Sequence, residues 1–160
     1  MAELRKGSQI PTRSVVLPYT VSYGPDAIKT YNTTGRKALP WQEEQIKNIM
    51  AVNGADEWLH TSYGLAVPRQ NGKNEVVTMR ELEGLKRGER ILHTAHKTST
   101  AHAAWDRLLR LVDLAKMPIK SSYKAMGKEH IEIFDGGLVE FRTRTATGGL
   151  GESYDLIIID

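Results

Sequence analysis

Ala101, Ala104, Trp105, Leu108, Leu111, Val112 and Ala115 recur at i, i+3, i+4 and i+7 directly after the compact run Arg90-Ile91-Leu92-His93-Thr94-Ala95. A strand that runs through a short turn into an amphipathic helix is half of a crossover, and crossovers join parallel strands. The pattern predicts a helix capped by Thr98 or Ser99 and ended by Pro118. A similar order precedes it. Trp58 to Val67 is mostly strand-like, Pro68-Arg69-Gln70-Asn71-Gly72-Lys73 reads as a loop, and Val76, Met79, Leu82 and Leu85 mark a helix face up to Gly88. The chain closes on Tyr154-Asp155-Leu156-Ile157-Ile158-Ile159-Asp160, where four consecutive apolar residues without polar alternation suit a strand covered on both faces. The predicted fold class is therefore α/β.

Between and around these units the signals are shorter. Pro40 sits at a first-turn position, and Ile46, Ile49 and Met50 predict a helix from about Trp41 to Val52, stopped by Gly54. Ile131 to Phe134 and Leu138 to Phe141 flank Asp135-Gly136-Gly137 as a hairpin. Residues 1–37 are rich in Ser, Thr, Gly, Pro and charge, with Val15-Val16-Leu17 their compact apolar run, and read as an extended arm. A length of 160 residues suits one folding unit. The net charge of +3 is too small to argue for a polyanionic partner, so a nucleic-acid reading must rest on motifs. Absence of cysteine excludes disulfides, thiolate zinc sites and cysteine nucleophiles. With no apolar run of membrane length and no signal-peptide start, the expected setting is soluble and intracellular.

A phosphate loop needs a tight backbone arch with inward N–H groups, a lysine for the β and γ phosphates, and a helix starting at that point. Val67 to Asn74 has that placement. Against the pattern G-x-x-x-x-G-K-[ST] it keeps Gly72 and Lys73, with Val67 at the first glycine and Asn74 at the hydroxyl position. Taken alone, the Gly-Lys dipeptide favours an ordinary strand-to-helix turn with a solvated lysine. The second requirement is an apolar strand ending in an aspartate that holds Mg²⁺ or its water, and Leu156 to Asp160 supplies it in the required order.

These residues together resemble the ATPase domain of tailed-phage terminase large subunits, the motors that package DNA into procapsids. The resemblance is carried by Leu39-Pro40-Trp41-Gln42, Pro68 to Asn74, His93-Thr94-Ala95-His96-Lys97, and Thr147-Gly148-Gly149-Leu150-Gly151 leading into Tyr154 to Asp160. It implies a P-loop NTPase of the RecA-like additional-strand class, with a central, mainly parallel sheet flanked by helices. Residues 1–37 would be an arm and 38–160 the N-terminal part of the ATPase domain, C-terminally incomplete. ATP and Mg²⁺ would be the cofactors. Trp41 and Gln42 would meet the adenine, and Pro68, Arg69, Gln70, Asn71, Gly72, Lys73 and Asn74 would surround the phosphates. Lys73, Arg69 and Asp160 would be the catalytic groups, and Asn74 and Asp160 the metal ligands. The partners implied are double-stranded viral DNA, a portal protein, a small terminase subunit and further copies in a ring, in the bacterial host cytoplasm.

Two departures bear on this resemblance. Leu150 stands where many relatives have an arginine, leaving Arg142 and Arg144 as the nearest substitutes. The family's catalytic glutamate would follow Asp160, where the sequence stops, so the expected behaviour is MgATP binding without turnover. A helicase-like nucleic-acid-dependent ATPase and a catalytically incomplete nucleotide-binding or assembly module remain alternatives. His93, His96 and His102 do not suggest zinc, because they divide between strand, turn and helix without neighbouring carboxylates in sequence. Lys86-Arg87-Gly88-Glu89-Arg90 reads as helix-end capping, whereas Lys120, Lys124 and Lys128 around Tyr123 read as a candidate DNA-facing loop.

Overall fold

The computed structural model describes residues 8–125, 128–145 and 151–160. In chain order the elements are β1 (Val21–Ser22), α1 (Gly24–Asn32), α2 (Pro40–Ile49), β2 (Ala51–Val52), α3 (Lys73–Lys86) and β3 (Arg90–Ala95). They continue with α4 (Thr98–Leu114), β4 (Ile119–Tyr123), β5 (Glu129–Ile133), β6 (Leu138–Thr143) and β7 (Leu156–Ile159). Five strands form one mixed sheet in the order β4-β5-β6-β3-β7. β3 runs parallel to both β6 and β7, whereas β5 is antiparallel to β4 and β6. β1 and β2 make a separate two-stranded antiparallel pair.

The register explains where the core lies. Parallel partners present their side chains to the same face, so Ile91, His93 and Ala95 share a face with Val139, Phe141, Leu156 and Ile158. The helices α3 and α4 cover that face, bringing Val76, Met79, Leu82 and Leu85 from one and Trp105, Leu108, Leu111 and Val112 from the other. Each such side chain contributes about 1.5–3 kcal/mol when fully buried. Trp105 also needs a polar partner, and its indole Nε1 donates to the His130 carbonyl at 3.2 Å. Gly137 sets how closely the β5–β6 hairpin approaches α3. A Cβ there would lie 2.0 Å from the Leu85 carbonyl oxygen.

Several expectations from sequence are corrected. The segment read as an arm contains β1 and α1, and α1 packs on α2 and α3 through Ala27 and Tyr31. The helix expected to reach Val52 stops at Ile49, because Ala51 and Val52 turn away to pair with Ser22 and Val21. No strand forms over 59–67, and Trp58 makes a single bridge to Val52. Tyr63 and Leu65 are anchored there by their side chains, not by a backbone ladder. Among the described residues β7 lies at a sheet edge, with Ile157 and Ile159 57% and 71% exposed. It is covered on one face only. The sheet is mixed rather than mainly parallel. The lysine-bearing loop is partly β4, on the other edge, where Lys120 pairs with Glu132 at 2.8 Å. Lys97, not Thr98 or Ser99, occupies the α4 cap, while Thr98 and Thr143 share a hydroxyl hydrogen bond. Among the described residues no helix is long and apolar enough to cross a membrane.

Candidate functional site

The loop before α3 is shaped by two left-handed residues placed one apart. Gln70 has φ +62° and Gly72 φ +81°, the second at the N-cap of α3. Left-handed residues are how backbone nests turn successive N–H groups to one side. Asn71 between them closes the arch from within: its Nδ2 donates to the carbonyls of Pro68 at 3.2 Å and Arg69 at 3.3 Å. Pro68, Arg69, Gln70 and Asn71 are exposed, whereas Gly72, Lys73 and Asn74 are half-buried at the helix start. The arch therefore presents open backbone beside the positive end of a helix of 14 residues.

Gln42 holds this arch from behind. It sits at the third position of α2, and its Oε1 accepts from the Leu39 N–H at 2.7 Å. Its Nε2 donates to the Gly72 carbonyl at 3.0 Å. The residue is 3% exposed. Both ends of the amide are thus engaged inside the fold, which departs from the expectation that Gln42 meets a base. Its neighbour Trp41 is half-buried and lines a cavity beside the loop.

The parallel strands β3, β6 and β7 end on the side where α4 begins and where α3 presents its first turn. Lys73 Nζ and Asp160 Oδ1 meet there at 2.5 Å, across 87 residues of chain. The backbone places Asp160 by continuing the β7 ladder, its N–H donating to the Thr94 carbonyl at 2.9 Å. Thr94 Oγ1 in turn donates to the Ile158 carbonyl at 3.0 Å. Arg144 Nη2 donates to the Asp160 carbonyl at 2.8 Å, so a second cation stands at the same edge. The Asp160 side chain is 15% exposed and that of Lys73 38%, so the pair remains open to water and to an incoming anion.

A magnesium ion bound by one or two protein oxygens, with water and phosphate completing its shell, needs hard oxygen donors. The Asp160 carboxylate and the Asn74 amide, at the first turn of α3, are of that type. Lys73 now occupies one carboxylate oxygen. Among the described residues no three His, Cys, Asp or Glu side chains gather as a protein-only metal cage. The residues fit a cation shared with a phosphate ligand better than a structural metal.

Other residues singled out in the sequence have different roles. Arg142 projects onto the uncovered face, held by Glu140 at 2.8 Å and by Glu152 at 2.8 Å. The Glu152 hydrogen bond, opposed by burial and aided by Glu140, raises the Arg142 pKa. Glu152 is lowered to about 2, chiefly by the same Arg142 bond. Arg142 is therefore committed to a charge cluster, while Arg144 stands at the site edge. Arg87 lies over the rings of Tyr23 and Trp58, and Arg80 pairs with Glu89 at 2.6 Å. The Thr147 to Leu150 part of the glycine-rich loop lies outside the described residues.

One pair escaped the sequence reading altogether. His93 Nδ1 meets Glu81 Oε1 at 2.6 Å, with both residues nearly fully buried, and His93 Nε2 has no hydrogen-bond partner. Burial lowers the His93 pKa, but the Glu81 charge and hydrogen bond, helped by Asp160, outweigh it and raise the value. No spacing rule links the middle of α3 to the middle of β3. No family model matches the chain, and no curated protein or solved structure matches it either.

Proposed function

We propose that this chain binds a nucleoside triphosphate with Mg²⁺ between the 68–74 loop and Asp160, and that it serves as the ATPase part of a terminase-type DNA-packaging motor. The observation that carries the nucleotide reading is the Lys73–Asp160 pair at the carboxyl edge of parallel strands, beside the arched loop. A lysine for phosphate and an aspartate for a cation are the two charges such a ligand requires, and open α/β sheets bind ligands at that edge. The motor reading rests on the resemblance of the motifs around Trp41-Gln42, Pro68 to Asn74 and Asp160. Duplex viral DNA, a portal, a small subunit and a ring of copies belong to that same reading.

Binding starts with an exchange of partners. Lys73 leaves Asp160 for phosphate oxygen, exchanging one anionic partner for another. The Asp160 carboxylate and the Asn74 amide oxygen are the groups that would hold the cation. Magnesium neutralises phosphate charge when bound. The loop N–H groups and the first turn of α3 orient the phosphates, and Arg69 and Arg144 add positive charge at the rim.

Calorimetric titration with MgATP tests the nucleotide reading. Lys73→Ala should weaken binding at least about tenfold, and Asp160→Asn should remove the dependence on magnesium. Unchanged affinity in Lys73→Ala would sink the proposal. In an intact motor that contains this chain, Lys73→Ala should stop DNA uptake in a procapsid packaging assay, and uptake at the unmodified rate would refute the motor reading.

A further inference from the structure

A cavity of about 770 Å³ lies beside the loop, closed on one side by the 8–15 segment, lined on the other by Trp41, Gln45, His60 and Tyr63, and bordered by Pro68 and Asn71. That volume falls within the range of small-molecule sites. Because Pro68 and Asn71 belong to the arch itself, a ligand with its phosphates on Lys73 has this cavity next to its remaining part. The wall combines rings with a fixed amide. Tyr63 donates its hydroxyl to Gln45 Oε1 at 2.9 Å, and Gln45 is 6% exposed. His60 meets Tyr63 edge to face, with centroids 5.6 Å apart and an interplanar angle of 71°. His60 Nε2 is buried without a hydrogen-bond partner, an uncommon state for a polar atom and one that points to a missing polar neighbour. Aromatic walls with a polar edge match a planar, hydrogen-bonding heterocycle.

We infer that the base of a bound nucleotide is read in this cavity by Gln45, His60 and Tyr63 against Trp41, and that Gln42 is a positioning residue for the loop. The inference rests on the nucleotide reading of the 68–74 loop. Gln42 spans the start of α2 and the Gly72 carbonyl, so its loss would act on the phosphates through the arch. Gln45, one turn further along α2, lines the cavity.

Affinities for MgATP and for magnesium tripolyphosphate, which carries no base, separate the two roles. The unmodified chain should bind MgATP more tightly. His60→Ala and Gln45→Ala should each cost on the order of tenfold for MgATP and nothing for tripolyphosphate, the scale expected for loss of a stacked or paired base. Gln42→Ala should weaken both ligands by the same factor. Tyr63→Phe keeps the ring, removes the Gln45 bond and should narrow the advantage of MgATP over magnesium tripolyphosphate, which guards against a truncation that simply unfolds. Loss of the MgATP advantage in Gln42→Ala, with tripolyphosphate unaffected, would overturn the assignment. So would cavity variants that keep the advantage or that weaken both ligands alike. Binding of neither ligand by the unmodified chain would sink the nucleotide reading itself, a different result from tripolyphosphate binding without any gain for ATP.

Discussion

Substituting Gly72 by alanine strikes two features at once, and a double-mutant cycle with Gln42 separates them. At φ +81° an alanine pays the left-handed backbone cost of about 1–2 kcal/mol. Its Cβ would also stand 2.6 Å from Gln42 Nε2, so the amide must move. Moving it forfeits the bonds to the Gly72 carbonyl and the Leu39 N–H, each worth about 0.5–1.5 kcal/mol net. Gly72→Ala should therefore cost about 2–5 kcal/mol, and Gln42→Ala, which loses the bonds alone, about 1–3 kcal/mol. With Gln42 already removed nothing is left to displace, and Gly72→Ala should then cost only its backbone share. The double variant should be about as stable as Gly72→Ala alone. Urea unfolding followed by tryptophan fluorescence measures all four corners of the cycle. A Gly72→Ala cost that is the same in both backgrounds, within about 0.5 kcal/mol, would refute the packing of Gln42 against the loop.

Three further outcomes follow from the core and the sheet edge. The raised His93 pKa means that the His93–Glu81 contribution to stability is fully present below the ordinary value of 6.5 and is lost as pH rises through the folded-state value. In Glu81→Gln the burial effect should prevail and the trend reverse, so unfolding midpoints measured between about pH 5 and pH 9 decide, against the fixed background of Asp160 and Arg107. Leu108→Ala, at a fully buried α4 position, should cost about 2–5 kcal/mol, whereas Leu114→Ala, 53% exposed, should stay within about 0.5 kcal/mol. Ile159→Lys, at a side chain 71% exposed, should change stability by no more than about 0.5 kcal/mol in urea unfolding, and a larger loss would show that this face is packed.

The elements legible in the sequence were those whose burial follows a period. Ala101, Ala104, Trp105, Leu108, Leu111 and Val112 are all buried in α4, because one helix face meets one sheet face. α1 carried no such signal. Its buried side is small, with Gly24, Ala27 and Tyr31, and Gly24 lies so close to α2 that a Cβ would be 2.5 Å from the Lys47 Cα. The isoleucine run of β7 reports strand preference but not coverage, which depends on whether another layer lies over the second face. Lys73 and Asp160 were readable as a pair because each sits at an element end, where topology fixes position. Gln42 was not, since its role comes from a hydrogen bond across 30 residues. Gln45, His60 and Tyr63 form their wall only once α2 and the 59–67 segment are folded together.

The parallel pairing of β3 also sets the order in which the site can assemble. β5 and β6 are joined by a tight turn, and β4 precedes them closely, so these strands can zip locally at small loop-closure cost. β3 has no such near partner: Arg90 reaches Glu140 across 50 residues and Asp155 across 65. Long-range parallel contacts form late and slow folding. Among the described residues β7 is held in the sheet by β3 alone, so it is the strand first expected to fray, and Asp160 follows it directly. Amide exchange should find β7 opening at lower free energy than β3, β5 or β6. Each such opening takes the aspartate away from Lys73, so a ligand that bridges the two would act as a clasp on the most weakly held strand.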